Sequence, residues 1–395
     1  MSRERLYMAN QNQNQEAAVL SFVNRKREDA LSSLSGHAIS PKICEDDLAD
    51  VISFFQHFSD AVDTSPAFSA LRDAAQTVRK AVYGDRVFFR GLIEFTNYCK
   101  NDCYYCGIGR HVEGVHRYRL STEEILACFR NGRKLGYHSF VLQGGEDPFF
   151  TDDRMCDMIT SLRKEFPSEA ITLSIGERSH ESYQRMFDAG ADRYLLRHES
   201  ASEEHYAMLH PRDMLLSNRK ACLYDLKRIG YQVGAGFMVG SPFQTAENLA
   251  EDLRFLIELS PQMVGMGPFI PSSGTRFSSF PTGSLTMTLV MIALTRILLP
   301  TTLIPSTTAL GTIDPVGREK GFSYGANVVM PNLSPVSVRA DYALYDNKIC
   351  ITDDASKCQK CLTTRILQSG NLPDFSRGDH VCFSDDRNKD EATNK

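Results

Sequence analysis

Cys99, Cys103 and Cys106 stand in one short polar loop in the spacing C-x3-C-x2-C, directly after the β-branched and aromatic stretch Val87 to Phe95. Three thiolates this close cannot all satisfy one another as disulfides, so metal binding is the chemistry their spacing suggests. Structural zinc asks for four closed ligands, usually as paired Cys or Cys/His units. The only further candidate nearby is His111, which is poorly spaced. Three cysteines instead suit a cubane [4Fe–4S] cluster with one iron left open for a substrate or cofactor. Tyr105, immediately before the third cysteine, is expected to lie against that open side.

This cysteine loop, following a first strand, resembles the signature of the radical S-adenosylmethionine (SAM) enzymes. Within their biotin-synthase-like branch the chain is similar to the HydE maturases of [FeFe]-hydrogenase assembly, over Ala81 to Gly370. The resemblance implies a reduced cluster that passes an electron to SAM, releasing methionine and a 5′-deoxyadenosyl radical. It also implies an organometallic iron–cysteine precursor with CO and cyanide ligands, delivered by HydG, and a product passed towards HydF. A low-potential electron donor completes the expected partners.

The elements that must position this loop form a strand–helix alternation. Eight strands are expected at 87–95, 139–143, 170–175, 193–198, 232–239, 263–269, 302–307 and 327–330. Ser121-Thr-Glu-Glu124 reads as a capping box opening a helix that Gly136 stops. Helices are also expected over 183–189 and 245–259. Eight parallel strands with covering helices predict an α/β fold, a (β/α)8 TIM-type barrel spanning 85–332, with an open doubly wound sheet as the alternative. Ahead of it, 1–40 reads as a polar, poorly ordered extension carrying QNQNQ at Gln11 to Gln15, with a short helix near 16–27. Two helices within 41–84 are expected to pack across the barrel bottom. A cysteine-containing segment (333–382) and a disordered tail (383–395) follow.

Barrel active sites lie at the C-terminal strand ends, which makes polar residues there the site candidates. After strand 2, Gly144 and Gly145 permit close backbone approach, and the resemblance assigns them to the methionine amino group of SAM. Strand 3 ends with Thr172 and Ser174 on one side. Strand 4 places Arg193, Arg197 and Glu199 on one face. Inward guanidiniums need partners, and an anionic ligand is the economical one, although an arginine–glutamate brace is the plain alternative. By resemblance Ser174, Glu199 and Arg219 hold SAM, with Arg219 suited to its carboxylate. Thr172, Arg193 and Arg197 then belong to the substrate cavity, with Met263, Thr307, Thr308, Met330 and Tyr342.

Beyond the barrel, Cys350, Cys358 and Cys361 form C-x7-C-x2-C. The pattern is a metal signal, and it is the spacing of an accessory [2Fe–2S] or [4Fe–4S] site found in some HydE proteins. It separates the chain from methylornithine synthase and biotin synthase, which share the barrel resemblance. Cys44, Cys128, Cys156, Cys222 and Cys382 show no such pattern.

The chain has 395 residues, 42% of them hydrophobic, enough for a sizeable core. A net charge of −5 and the lack of a Lys/Arg cluster speak against nucleic acid. No apolar run is long enough to span a bilayer, so no membrane partner is expected. No apolar signal core opens the sequence, which points to the cytoplasm. Arg3, Arg5 and Arg25 keep an organellar presequence open, while Glu4, Glu16 and Glu28 count against it. Eleven cysteines in such a chain read as metal-binding or buried thiols, in a reducing, low-oxygen cell. Two rival functions remain: a methylornithine-synthase-like radical enzyme on an amino acid, and a non-catalytic iron–sulfur scaffold or carrier.

Overall fold

The computed structural model describes residues 3–35, 47–59, 62 and 65–383, with side chains from residue 12 onward. Three helices precede the barrel: α1 (Arg3–Leu34), α2 (Asp47–His57) and α3 (Pro66–Tyr83). The short helix expected near 16–27 lies within the longer α1, so the expectation of poor order is corrected over Arg3–Leu34, where Val19, Phe22, Val23 and Ala30 recur on one face and are buried. Packing against α3 stabilises the helix through and beyond the polar run QNQNQ. Residues 36–46 and 384–395, covered by the same expectations of order and disorder, lie outside the described residues.

The first barrel strand is split at Arg90 into β1 (Arg86–Phe89) and β2 (Gly91–Thr96). In chain order there follow α4 (Thr122–Lys134), β3 (Ser139–Gly144), α5 (Asp152–Glu165), β4 (Ala170–Ser174), α6 (His180–Asp188), β5 (Arg193–Leu195), α7 (Glu203–Leu209), α8 (Leu216–Ile229) and β6 (Gln232–Ala235). Then come β7 (Met238–Val239), α9 (Ala246–Leu259), β8 (Met263–Val264), β9 (Gly267–Pro268), α10 (Leu285–Leu298), α11 (Thr308–Ile313), α12 (Gly317–Ser323) and β10 (Val328–Val329). The chain continues through α13 (Val336–Arg339), α14 (Ala355–Gln368) and β11 (Leu372–Asp374). The local signals hold where side chains cap. Ser121 accepts from the Glu124 backbone and Glu124 bonds back, and Thr245 and Asn248 do the same ahead of α9.

Six strands pair in parallel in the order β2-β3-β4-β5-β6-β8, and β7 and β9 continue the fifth and sixth barrel strands as a separate pair. The seventh position, expected over 302–307, is reduced to two isolated parallel bridges, Met263↔Leu303 and Pro305↔Val328. The eighth, β10, pairs back onto β1, and Leu92↔Asn332 completes the ring at the upper end. Closure follows from these pairings. The open sheet is excluded.

The barrel bottom differs from the expectation. Helix α2 packs against α9, and α3 against α1 and α10, so the N-terminal helices join the outer layer. The bottom is closed by the C-terminal segment instead. Strand β11 pairs in parallel with β1, with Arg86 opposite Leu372. The Gly378 carbonyl accepts from Arg90, Asp379 accepts from Arg193 and Gln232, and the His380 N–H donates to Gln232 Oε1. No helix among the described residues is long and apolar enough to cross a membrane.

Candidate active site

The cysteine loop leaves β2 and is held from several sides. Its Lys100 N–H donates to the Glu146 carbonyl, Tyr104 N–H to Leu209 and Gly107 N–H to Leu344. Arg117 staples it from within, donating to the carbonyls of Asn97, Ile108 and Gly109. Gly145 presses the loop against the end of β3: a Cβ there would lie 2.2 Å from the Tyr98 carbonyl oxygen. Tyr105 is half-buried, with its hydroxyl 3.1 Å from His210 Nε2. His210 Nδ1 faces the Tyr206 carbonyl at 2.9 Å, so the ring proton sits on Nδ1 and Nε2 accepts from Tyr105. Burial lowers the His210 imidazole to about 3, which keeps it neutral.

All three thiols line one end of a cavity of about 390 Å³. Burial raises each of them, Cys106 to about 12, and the neighbouring thiolates raise Cys103 further. Three separate thiolates are therefore doubly disfavoured, by desolvation and by mutual repulsion. A cationic iron core relieves both penalties, so this donor set fits an iron–sulfur cluster. No three Cys, His, Asp or Glu side chains among the described residues gather around a single ion-sized point.

Gly144, Gly145, Ser174, Glu199 and Arg219 line the same cavity as the cysteines. Glu199 occupies the left-handed region at φ 66° and pairs with Arg197 at 3.0 Å. Arg219 pairs with Glu177 at 2.8 Å. Neither pair is aligned as a hydrogen bond, and Glu199 Oε2, Arg197 Nη2, Glu177 Oε1 and Arg219 Nε are buried without one. The segments after β4 and β5 and the start of α8 thus present polar groups whose hydrogen bonding is incomplete.

Of the residues expected in the substrate cavity, Arg197, Thr307, Thr308, Met330 and Tyr342 line it. Thr307 caps α11, and its Oγ1 is buried with no partner among the described residues. Three placements are corrected. Thr172, Arg193 and Met263 do not line this cavity but a separate void of about 10 Å³ near the barrel floor, with Arg90 and Gln232. Arg193 points inwards as the alternation predicts, yet its partner is Asp379 at 2.6 Å, not a ligand. Met263 accepts from Arg90 through its sulfur at 2.8 Å. All three sit one barrel layer below the residues that line the larger cavity.

Cys350 and Cys358 line the cavity as well, whereas Cys361 is exposed on α14. Cys358 and Arg318 beside it hold the Cys350 thiol below its usual range, against the opposing effect of burial.

Residue-by-residue reading of the sequence missed a second set of lining groups. Glu94 is buried and bonded to Lys348 and Asn332, each at 2.6 Å. Gln143 donates to the Tyr342 hydroxyl at 3.3 Å. Arg318 donates to Thr308 Oγ1 at 3.2 Å and faces Cys350 Sγ at 3.8 Å. Lys348 and Arg318 come from irregular or short helical segments with no periodic signal. Only the alternation within the first and second strands could have flagged Glu94 and Gln143.

Residues 93–256 match the family model of the Radical SAM superfamily. The chain is 45% identical over 304 residues to the "[FeFe] hydrogenase maturase subunit HydE" of Thermotoga maritima, covering 77% of this chain and 86% of that relative. It is 28% identical over 310 residues to the 3-methylornithine synthase of Methanosarcina acetivorans, covering 78% and 85%. Among solved structures, methylornithine synthase (PylB) superposes with a TM-score of 0.75 at 26% identity, covering 88% of this chain and 97% of that one. The maturase HydG shares the fold, with a TM-score of 0.73 at 18% identity over 93% of this chain and 79% of its own. Taken with the cysteine loop and the strand-end residues around it, this places the chain in the radical SAM superfamily and, within it, in the HydE family of [FeFe] hydrogenase maturases.

Proposed function

We propose that this chain cleaves SAM and acts on an organometallic iron–cysteine precursor during assembly of the [FeFe]-hydrogenase active site. Membership of the radical SAM superfamily implies a [4Fe–4S] cluster and SAM. When bound, the cluster supplies the electron that splits SAM into methionine and a 5′-deoxyadenosyl radical. Cys99, Cys103 and Cys106 hold it, and Tyr105, locked to His210, covers its side. Gly144 and Gly145 offer a bare backbone edge to the methionine amino group. Ser174, Glu199 and Arg219 orient the rest of SAM, with the Arg219 guanidinium towards its carboxylate.

The observation that carries this reading is the opening of the half-buried cysteine triad into the same cavity as these groups. Within that lining Arg197, Arg219 and Lys348 each face a carboxylate, whereas Arg318 has none within 4.0 Å among the described residues. A substrate carrying negative charge fits that balance. Arg197, Thr307, Thr308, Met330 and Tyr342 are its remaining contacts, while Thr172, Arg193 and Met263 act as floor braces. HydG as precursor donor, HydF as acceptor, a low-potential electron donor and a cytoplasmic setting belong to the same reading, as does an accessory iron–sulfur cluster at Cys350, Cys358 and Cys361.

A second reading, a methylornithine-synthase-like enzyme on an amino acid, is favoured by the likeness to that fold. The discriminating experiment is anaerobic. The purified chain is assayed for 5′-deoxyadenosine formation and then for restoring hydrogenase activity to a maturation mixture that lacks it. Restored maturation supports the proposal, SAM cleavage without restoration favours the amino-acid enzyme, and neither activity leaves a scaffold.

A further inference from the structure

Glu199 carries an unusual backbone for a residue with a long side chain. Its φ of 66° is a left-handed conformation that costs a non-glycine residue roughly 1–3 kcal/mol unless its surroundings hold it. The turn it belongs to is gripped from both sides by one buried carboxylate on α9. Asp252 Oδ1 accepts the Ala201 N–H at 2.6 Å and lies 3.1 Å from His198 Nε2. His198 Nδ1 in turn accepts the Gly236 N–H at 3.3 Å. This fixes the imidazole tautomer, with the proton on Nε2 and donated to Asp252. The Glu199 N–H reaches the Gly236 carbonyl at 3.0 Å, so the same glycine is tied to both residues. His198 and Asp252 are both 0% exposed, and neither lines the cavity.

We propose that His198 and Asp252 are positioning residues for SAM. The two side chains lock the turn from His198 to Ala201 onto the end of β6, so that the strained Glu199 presents its carboxylate to the cavity. The inference rests on the proposed SAM site and deepens it. Sequence alternation had set His198 on the opposite face from Glu199, and the structure gives that opposite face its task. Burial lowers the His198 imidazole to about 3, so the lock keeps its neutral form across the working pH range.

The test compares three variants of the full chain with its cluster loaded. SAM affinity is read from the change that added SAM produces in the electron paramagnetic resonance of the reduced cluster, alongside iron content and thermal midpoint. Asp252→Ala is expected to weaken SAM binding roughly ten- to a hundredfold, as the strain at Glu199 is released, with iron unchanged. Asp252→Asn retains the accepting Oδ1 and is expected to keep nearly normal affinity. Leu256→Ala, a buried cavity-forming change on the same helix, is expected to lower the thermal midpoint but leave SAM affinity within about twofold.

Equal loss of SAM affinity in Asp252→Ala and Leu256→Ala, or no loss in Asp252→Ala, overturns the proposal. Should Asp252→Ala not fold, His198→Asn replaces it, since it shortens the link and leaves the Ala201 bond: weakened SAM binding supports the lock and unchanged binding sinks it. A wild-type chain that holds iron but no SAM would overturn the proposed function and this inference together. Normal wild-type binding with indifferent variants overturns the inference alone.

Discussion

Arg193, on β5, the fourth barrel strand, lies 2.6 Å from the carboxylate of Asp379, 186 residues further along the chain. The pair accounts for one of two inward arginines that had called for an anionic ligand. Arg193 also donates to Ser139 Oγ and to the Arg377 carbonyl, so the chain itself satisfies much of its buried guanidinium. Arg197, two pleats higher, remains at the cavity with Glu199.

Asp379→Asn is expected to destabilise the fold by about 2 kcal/mol, below the roughly 3–5 for a fully buried pair because Asp379 keeps some solvent. Burial alone would raise this carboxyl, but Arg193 and Arg377 outweigh it and hold it well below the usual range. A lowered folded pKa contributes stability above the unfolded value of about 3.9, and the contribution is lost as pH falls through the folded value. Denaturant titrations should therefore separate wild type and Asp379→Asn at neutral pH and bring them together in acid. A gap that stays constant with pH would count against the ion pair.

Gly145→Ala should strip the cluster while leaving the barrel folded. The added methyl meets the Tyr98 carbonyl oxygen at 2.2 Å and Cys99 Cβ at 2.8 Å, so the loop has to move away from β3. Iron per chain is the measurement, and a normal iron content in a folded variant would refute the close approach. Gly84, whose Cβ meets nothing within 4 Å, is unsuitable as a control because its φ is +63°.

Cys103→Ser should abolish 5′-deoxyadenosine formation with little change in the circular dichroism spectrum, because a cubane lacking one thiolate is poorly held. Normal product formation by this variant would remove the loop from the chemistry.

Replacing Cys358 and Cys361 together by Ser should lower total iron and leave SAM cleavage largely intact. If both fell together, the C-terminal cysteines would belong to the cleavage machinery.

Part of the cavity lining was legible from local spacing and strand alternation. Cys99, Cys103 and Cys106 carry a local pattern, and Ser174 follows from two-residue alternation on β4. Depth along a strand was not. Alternation says that Thr172 and Ser174 face the same way, but only the register, with Thr172 opposite Arg193, shows that Thr172 lies one layer lower. Glu199 was found on its strand face although the strand ends at Leu195 and its own backbone turns left-handed. Helix α1 was expected only near 16–27 and runs over Arg3–Leu34, because its apolar face is narrow and flanked by a polar run whose composition burial against α3 outweighs. The role of residues 372–382 could not be read at all. Their pairing with β1 leaves no local pattern.

That pairing has a consequence for how the molecule is made. A parallel neighbour of β1 arrives only after almost the whole barrel sequence has left the ribosome, since Leu372 must find Arg86 and the Asp85 carbonyl. Contacts of such long sequence separation form late and slowly. The cysteine loop and the strand ends that face the cavity are therefore synthesised while the opposite mouth still lacks its seal. A chain cut after Cys361 would carry every cysteine discussed for the two metal sites and still leave Arg90, Arg193 and Gln232 open to water.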